Sequence, residues 1–481
     1  MESIWTKTSN LSQGFLTMED GEHLETETAV IGGGMAGILT AYYLQQSGQK
    51  VIVLEAGQVG CGQTCNTTAK ITLQHGLIYD NLIRHFGTEK ALQYITANRE
   101  AIKHYETLIT QLDIHCGFER CPAFLYTTED AGPLEAEKKA LEQLGTPARL
   151  TKDTELPLEV EMALEVGDQA VFHPLQFLYG IAAHLSVYQH TFVRSIEDSK
   201  IITNQGTVTA KHIVMATHYP FINTPGYYFL RMHQERSYVL ALENAADLHG
   251  IYYGIDKDGY SFRNYGPLLL LGGSGHRTGR NPEGGQYGQL REAARKFYPD
   301  SKETAHWSAQ DCMALDHIPY IGSFSASLPN LYVATGFNKW GMTSSMAAAQ
   351  ILSGYILGAP PAYGEIFSPA RFNLPASTKN LIKDGTQSFK GLALSPILPA
   401  RASVDDLSPG DGGIVDCDGE KIGVYKNGNG EVFTVSPYCT HLGCQLEWNP
   451  EELTWDCPCH GSRFNYTGEL ISNPAMKGLE K

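Results

Sequence analysis

The segment that most restricts how this chain can fold runs Glu27-Thr-Ala-Val-Ile-Gly-Gly-Gly-Met-Ala-Gly37. It reads as a short apolar strand that meets Gly32-x-Gly34-x-x-Gly37 and continues into a helix over 38–47, with a second strand over 50–54 ending at Glu55. Gly32 permits the tight turn, Gly34 lets a pyrophosphate approach the backbone, and Gly37 lets the helix pack on the strand. The helix N-terminus then faces the phosphates. Glycine-rich turns also serve purely structural ends, but here strand, turn, helix, second strand and acidic residue are all in register. Glu55 would accept from ribose hydroxyls and repel a 2′-phosphate, which favours FAD or NAD over NADP.

At 481 residues the chain is too long for one ordinary core and should divide into two or three domains. Lys and Arg number 36 against 52 Asp and Glu, a net charge of −16, so a nucleic-acid backbone is not an expected partner. The first residues have no apolar stretch after a basic start, and no run of about 18 apolar residues occurs anywhere, so no membrane span and a cytoplasmic location are expected. Residues 1–26 read as an N-terminal extension, and 27–367 as a mixed α/β body. Residues 368–401 read as a proline-bearing linker with a short helix near 379–389, and 402–481 as a small all-β domain with hairpin turns at 418–420 and 427–430.

Four of the ten cysteines crowd into that last region, in Cys439-Thr-His441-Leu-Gly-Cys444 and Cys457-Pro-Cys459-His460-Gly-Ser462. This pattern resembles a Rieske domain. The resemblance implies a 2Fe-2S cluster in which Cys439 and Cys457 hold one iron, His441 and His460 hold the other, and Cys444 and Cys459 form a disulfide that ties the loops together. Zinc is the rival reading. Zinc fingers usually place two Cys on one knuckle and two His on the other, whereas each loop here mixes them, and two cysteines would be left over. Ser462 matches a hydroxyl that donates to a cluster sulfide, while Phe464 stands where a second donor, a Tyr, occurs in high-potential members. A potential below that of the respiratory complexes is therefore expected. The chain ends soon after Asn473-Pro474-Ala475, where such domains usually add a closing strand, which leaves both a trimmed and an untrimmed C-terminus open.

Three segments choose FAD. Residues 57–71, GQVGCGQTCNTTAKI, resemble the loop under the flavin in the glycine oxidase/D-amino-acid oxidase family. Residues 212–220, HIVMATHYP, resemble its strand returning to the FAD domain. Asp316-His-Ile-Pro-Tyr-Ile-Gly with 330–343, NLYVATGFNKWGMT, resembles its C-terminal flavin motif. The resemblance implies a Rossmann-type FAD domain with an inserted mixed-sheet substrate domain, and FAD contacts at Gly32, Gly34, Gly37, Glu55, Thr68, Ala69, Lys70, Val193, Ala216, Gly336, Gly341, Met342 and Thr343. Amides after Gly341 would stabilise negative charge on reduced flavin. Amino-acid oxidases of this family place a carboxylate-binding Arg a few residues before the Asp-x-x-Pro motif. This chain has Asp311 at about that place, which would repel an α-carboxylate and suits a cationic amine. The other reading of Asp311 is a turn cap or an ion pair away from the pocket.

Together these features resemble a bacterial family that fuses a glycine-oxidase-like FAD domain to a C-terminal Rieske domain. They imply an FAD-dependent oxidoreductase that takes a hydride from an amine carbon and releases electrons singly through the cluster to an acceptor, be it protein, quinone or oxygen. The alternative is an NADH-fed flavin and Rieske reductase serving an oxygenase or carrier protein. Against it, Gly272–Gly279 lacks the third glycine in register and a following helix pattern. A third reading is a binding protein whose cluster is only structural, since no catalytic base is legible. His212 and His218 read as structural. Cys61, Cys65 and Cys312 read as small buried residues, with covalent flavin attachment as the alternative.

Overall fold

Why the glycine-rich turn forms is visible in its surroundings. This computed structural model describes residues 2–9, 14–371 and 403–480. The strand His23–Ile31 buries an unbroken apolar end and lies parallel to Val51–Leu54 on one side and Thr207–Met215 on the other. Leu328–Thr335 extends the parallel set beyond Thr207–Met215, and Ser186–Gln189 extends it beyond Val51–Leu54. Strands buried on both faces read as continuous apolar runs, as here. The helices Met35–Gln46 and Gly341–Ile356 pack on each other against this nine-stranded sheet.

A second nine-stranded sheet is mostly antiparallel and supplies the inserted domain. Its edge ribbon pairs Met232–Glu243 with Lys302–Ala314, and Leu268–Arg277 lies on the other side of Met232–Glu243. Gly272–Gly279 thus belongs largely to a strand and not to a second dinucleotide turn. The described residues before Glu27 are woven into this body: Trp5 is fully buried and donates through Nε1 to Thr67 O at 2.7 Å, and the strand pairing with Thr207–Met215 already starts at His23.

The C-terminal region forms two small antiparallel sheets, Gly412–Cys417 with Glu420–Lys426 and Val432–Val435, then four strands from Glu447–Asn449 to Leu470–Ser472. The turn at Asp418 and Gly419 has positive φ at both residues, as a type I′ two-residue hairpin requires. The helix expected near 379–389 lies outside the described residues. Among the described residues no helix is long and apolar enough to cross a membrane.

Candidate functional site

A cavity of about 1410 Å³ opens between the two sheets and the C-terminal domain. That exceeds the ~300–1,000 Å³ of a site for one small molecule and leaves room for a dinucleotide beside a substrate. Of the sequence-predicted contacts, Gly32, Gly34, Glu55, Thr68, Lys70, Val193, Ala216, Gly341 and Met342 line it. Gly32 sits at φ 110°, and a Cβ there would come within 2.4 Å of Ala216 O. The helices Met35–Gln46 and Gly341–Ile356 both begin at the cavity, and neither has a side-chain cap. Met35 N already donates to Thr64 Oγ1 at 3.1 Å, so at the first helix the positive end of the dipole and the amides after Met35 are what face an anionic group; this fits a pyrophosphate there and reduced flavin at the second helix.

Four predicted contacts do not reach the cavity. Gly37 acts by packing, since a Cβ there would meet Gly32 O at 2.0 Å. Ala69 is buried behind the wall with its carbonyl accepting from Arg263 at 2.5 Å. Gly336 supplies a left-handed turn at φ 70° packed on Ala314. The Thr343 hydroxyl turns inward, 3.0 Å from His75 Nε2 and donating to Thr72 O at 3.2 Å. Glu55 does line the cavity, but its carboxylate already accepts from Gly33 N at 2.6 Å and Gly57 N at 2.8 Å. Each oxygen has a second lone pair, so a ribose hydroxyl still has an acceptor there.

The opposite chemistry comes from the edge ribbon. Glu235 and Asp311 are direct cross-strand partners, and both side chains line the cavity with His233 and Ser237. Ser237 Oγ donates to Asp311 Oδ2 at 3.2 Å, and Lys339 Nζ lies 3.3 Å from Glu235 Oε2. Burial pushes the Asp311 carboxyl up to about 6, with Lys339 pulling it down and Glu235 adding to the rise. Glu235 goes the other way: burial raises it, but His233 and Lys339 hold it at about 2. Asp311 is thus neither a turn cap nor remote from the pocket. Lys70 stands over the Tyr253 ring at 5.8 Å, and burial, with Arg263 nearby, lowers its ammonium to about 7. Sequence reading missed Glu235 and Lys339, although the unbroken polar run 233–237, His-Gln-Glu-Arg-Ser, leading into the apolar 238–242 of one strand was a signal.

The decoys sort differently. His212 stays half-buried on its strand, which ends at Met215, whereas His218 lies beyond it with φ 66° and lines the cavity. Cys312 is buried, but Cys61 is exposed at the cavity and Cys65 is half-buried. Arg371, placed by sequence in the linker, clamps Asp316 at 2.8 and 3.0 Å and so anchors the flavin motif.

In the C-terminal domain the two Cys/His loops face each other. Cys444 and Cys459 are disulfide-bonded. Cys439 and Cys457 are buried, unpaired and in mutual hydrogen-bonding contact; that contact pulls the Cys439 thiol down to about 7 and pushes Cys457 up. The imidazoles of His441 and His460 stand edge to face, 5.0 Å between centroids, and the Nδ1 atoms of both are buried with no hydrogen-bond partner. Two adjacent thiols and two orphaned imidazole nitrogens suit a cluster with unlike irons. The tightest Cys grouping, Cys444, Cys457 and Cys459, holds two disulfide sulfurs and so offers a cation only one thiolate. Ser462 Oγ accepts from Ala475 N at 3.0 Å and sits within reach of Cys439.

The cluster loops are docked on the first domain. Gln234 Nε2 donates to His460 O at 2.8 Å, Gln310 Nε2 to Gly461 O at 2.8 Å, and Arg277 to Cys459 O at 3.2 Å. Two glycines make the fit possible: a Cβ on Gly279 would lie 2.5 Å from Pro458 N, and one on Gly461 would lie 2.6 Å from Gln234 Cβ. On one strand, Glu235 and Ser237 thus face the cavity while Gln234 and Arg236 face the cluster domain.

A dinucleotide cradle, a mixed-sheet cavity and a docked Cys/His cluster fold define a flavoprotein oxidoreductase with an iron-sulfur domain. Residues 27–354 match the family described as FAD dependent oxidoreductase, and residues 399–481 match the Rieske 2Fe-2S domain. The chain belongs to the FAD dependent oxidoreductase family and carries a Rieske 2Fe-2S domain at its C-terminal end. It is 36% identical over 497 residues to YhfW of Bacillus subtilis (strain 168), a protein named for a Rieske 2Fe-2S iron-sulfur centre, covering 100% of this chain and 97% of the relative. The fold is similar to that of L-proline dehydrogenase from P. horikoshii, with TM-score 0.63 at 16% identity, covering 73% of this chain and 98% of the other. It is also similar to glycine oxidase from Geobacillus kaustophilus, with TM-score 0.62 at 19% identity, covering 73% and 99%.

Proposed function

We propose that this oxidoreductase oxidises a cationic amine at its carbon–nitrogen bond and passes the electrons singly through its cluster. The observation that carries the amine reading is the cavity wall formed by Glu235, Asp311 and Lys339. Glu235 is matched there by Lys339 and by His233 at 3.3 Å, which leaves Asp311 as the carboxylate for a further cation and disfavours an α-carboxylate. The two arginines that line the cavity do not reverse this. Arg277 is engaged with Cys459 O, and Arg280 lies near Glu447 of the cluster domain.

In this reading FAD lies along Gly32, Gly34, Glu55, Thr68, Lys70, Val193, Ala216, Gly341 and Met342. Cys439, Cys457, His441 and His460 hold the cluster. FAD supplies a two-electron acceptor for the substrate bond, and the 2Fe-2S cluster a one-electron outlet. The protein's own part is to hold the substrate. Asp311 and Glu235 orient the ammonium, and Asp311, poised near pH 6, can take a proton at Oδ1 or Oδ2 as the amine is neutralised. Similarity to proteins named as a glycine oxidase and an L-proline dehydrogenase supports carbon–nitrogen chemistry. A cytoplasmic location goes with this reading, in keeping with eight cysteines outside any disulfide. The test is an anaerobic panel on the holoprotein: primary and secondary amines should bleach the flavin band while common α-amino acids do so poorly. Bleaching by amino acids alone would refute it, and bleaching by NADH would favour a reductase instead.

A further inference from the structure

The loop 217–231 joins the strands Thr207–Met215 and Met232–Glu243 and touches both candidate sites. Its first residues, Thr217, His218 and Phe221, wall the flavin cavity. Farther along, Asn223 Oδ1 lies 2.7 Å from His441 Nε2. The Phe229 ring stands edge to face with both imidazoles, 6.4 Å from His441 and 5.7 Å from His460. The cluster domain answers with Asn473, whose Nδ2 donates to Thr217 O at 2.9 Å and Tyr219 O at 2.5 Å. Since the Nδ1 of His441 is turned inward and unpaired, its ring hydrogen belongs on Nε2, and Asn223 Oδ1 accepts it.

We propose that loop 217–231 is a socket built for the cluster tip, through which electrons pass from the flavin cavity to the cluster, with Asn223 the positioning residue that tunes the cluster. The route rests on the reading that the two centres exchange electrons. Each event moves one electron: reduced flavin is oxidised by one electron, one ferric ion of the cluster becomes ferrous, and a flavin proton goes to cavity water. An outside one-electron acceptor must reoxidise the cluster before the second electron follows. An acceptor on the distal N–H of a metal-bound imidazole makes that ligand more basic and so favours the ferric state. Removing the acceptor should therefore raise the cluster's midpoint potential, and replacing it by a carboxylate should lower it.

The experiment uses full-length holoprotein with matched FAD and iron content in five forms: wild type, Asn223→Ala, Asn223→Asp, Phe229→Ala and the milder Phe229→Leu. Redox titration followed by EPR reads the cluster, and flash photoreduction of the flavin with a deazaflavin reads its equilibration with the cluster. The expected result is a potential above wild type for Asn223→Ala and below it for Asn223→Asp, with shifted g-values in both. Equilibration should be at least tenfold slower in Phe229→Ala and intermediate in Phe229→Leu. Unchanged potentials and g-values in both Asn223 variants would overturn the socket, whatever the rates. Shifted potentials with no flavin–cluster exchange in the wild type would instead overturn the route and the reading beneath it. Exchange at the wild-type rate in both Phe229 variants would overturn the route alone.

Discussion

Arg236 is where the two domains are most strongly held together, and Arg236→Met is the sharpest perturbation of that contact. Its side chain is 3% exposed and donates through Nε to Glu452 Oε2 at 3.0 Å, with further bonds to Glu452 Oε1 and Ser308. Glu452, 7% exposed, also pairs with Arg463 at 3.0 Å and accepts from Ser308 Oγ at 2.5 Å. Breaking a buried ion pair by removing one partner costs about 3–5 kcal/mol. Arg463 and Ser308 remain to share the stranded carboxylate, so the low end, about 3 kcal/mol, is expected, and that is roughly 150-fold in the docking equilibrium. Because Arg236 and Glu452 belong to different domains, the loss should fall on docking and leave each domain folded. Hydrogen exchange reads it directly: Gly285 N and Tyr287 N donate across the interface to Glu451 Oε1 at 2.9 and 3.3 Å, and their protection should fall by about that factor. The double variant Arg236→Met/Glu452→Gln should cost less than the sum of the two singles. Unchanged protection in Arg236→Met would refute the claim that this network holds the domains together. The sign with pH follows from Glu452. Burial would raise its carboxyl, yet Arg236 and Arg463 hold it at about 2, so its contribution is present above about 4.5 and is lost as pH falls through about 2.

Cys457→Ser should remove iron and acid-labile sulfide while FAD remains, measured by metal analysis and flavin absorbance; stoichiometric zinc in the wild type would contradict the cluster. Gly32→Ala should do the reverse and empty the FAD site, because its Cβ would lie 2.4 Å from Ala216 O. Phe464→Tyr, at a fully buried position beside the cluster loops, should raise the midpoint potential in a redox titration by restoring a hydroxyl donor. Asp311 faces Glu235, Lys339 and Ser237, and its carboxyl stands near 6, so amine-driven flavin bleaching should rise with pH through about 6 and lose that step in Asp311→Asn.

The sequence carried what is encoded in contiguous residues. Gly32, Gly34 and Gly37 dictate one local turn, and Cys439, His441, Cys457 and His460 sit on two short loops whose spacing already implies their chemistry. What lay outside its reach is assembled from distant segments. Lys339 meets Glu235 only because the chain after Leu328–Thr335 returns to the edge ribbon. Asn223 meets His441 only because two domains dock. Arg371 looked like linker because prolines surround it, yet its guanidinium is buried on Asp316. Thr343 was expected at the cofactor from its place in a motif, but a helix N-terminus presents successive side chains in different directions, and this one turns to His75. For Asp311 the sequence left two readings open, and strand pairing with Glu235 decides between them.

A chain that, as proposed, takes electrons from a substrate at its flavin and moves them to its own cluster must change the two centres in sequence. Anaerobic stopped-flow with a bleaching amine, paired with freeze-quench EPR, follows both centres in one experiment. Loss of the flavin band is expected first, then growth of the reduced-cluster signal in a second phase that coincides with partial flavin reoxidation. Full flavin reduction with a cluster that stays oxidised throughout would contradict the transfer.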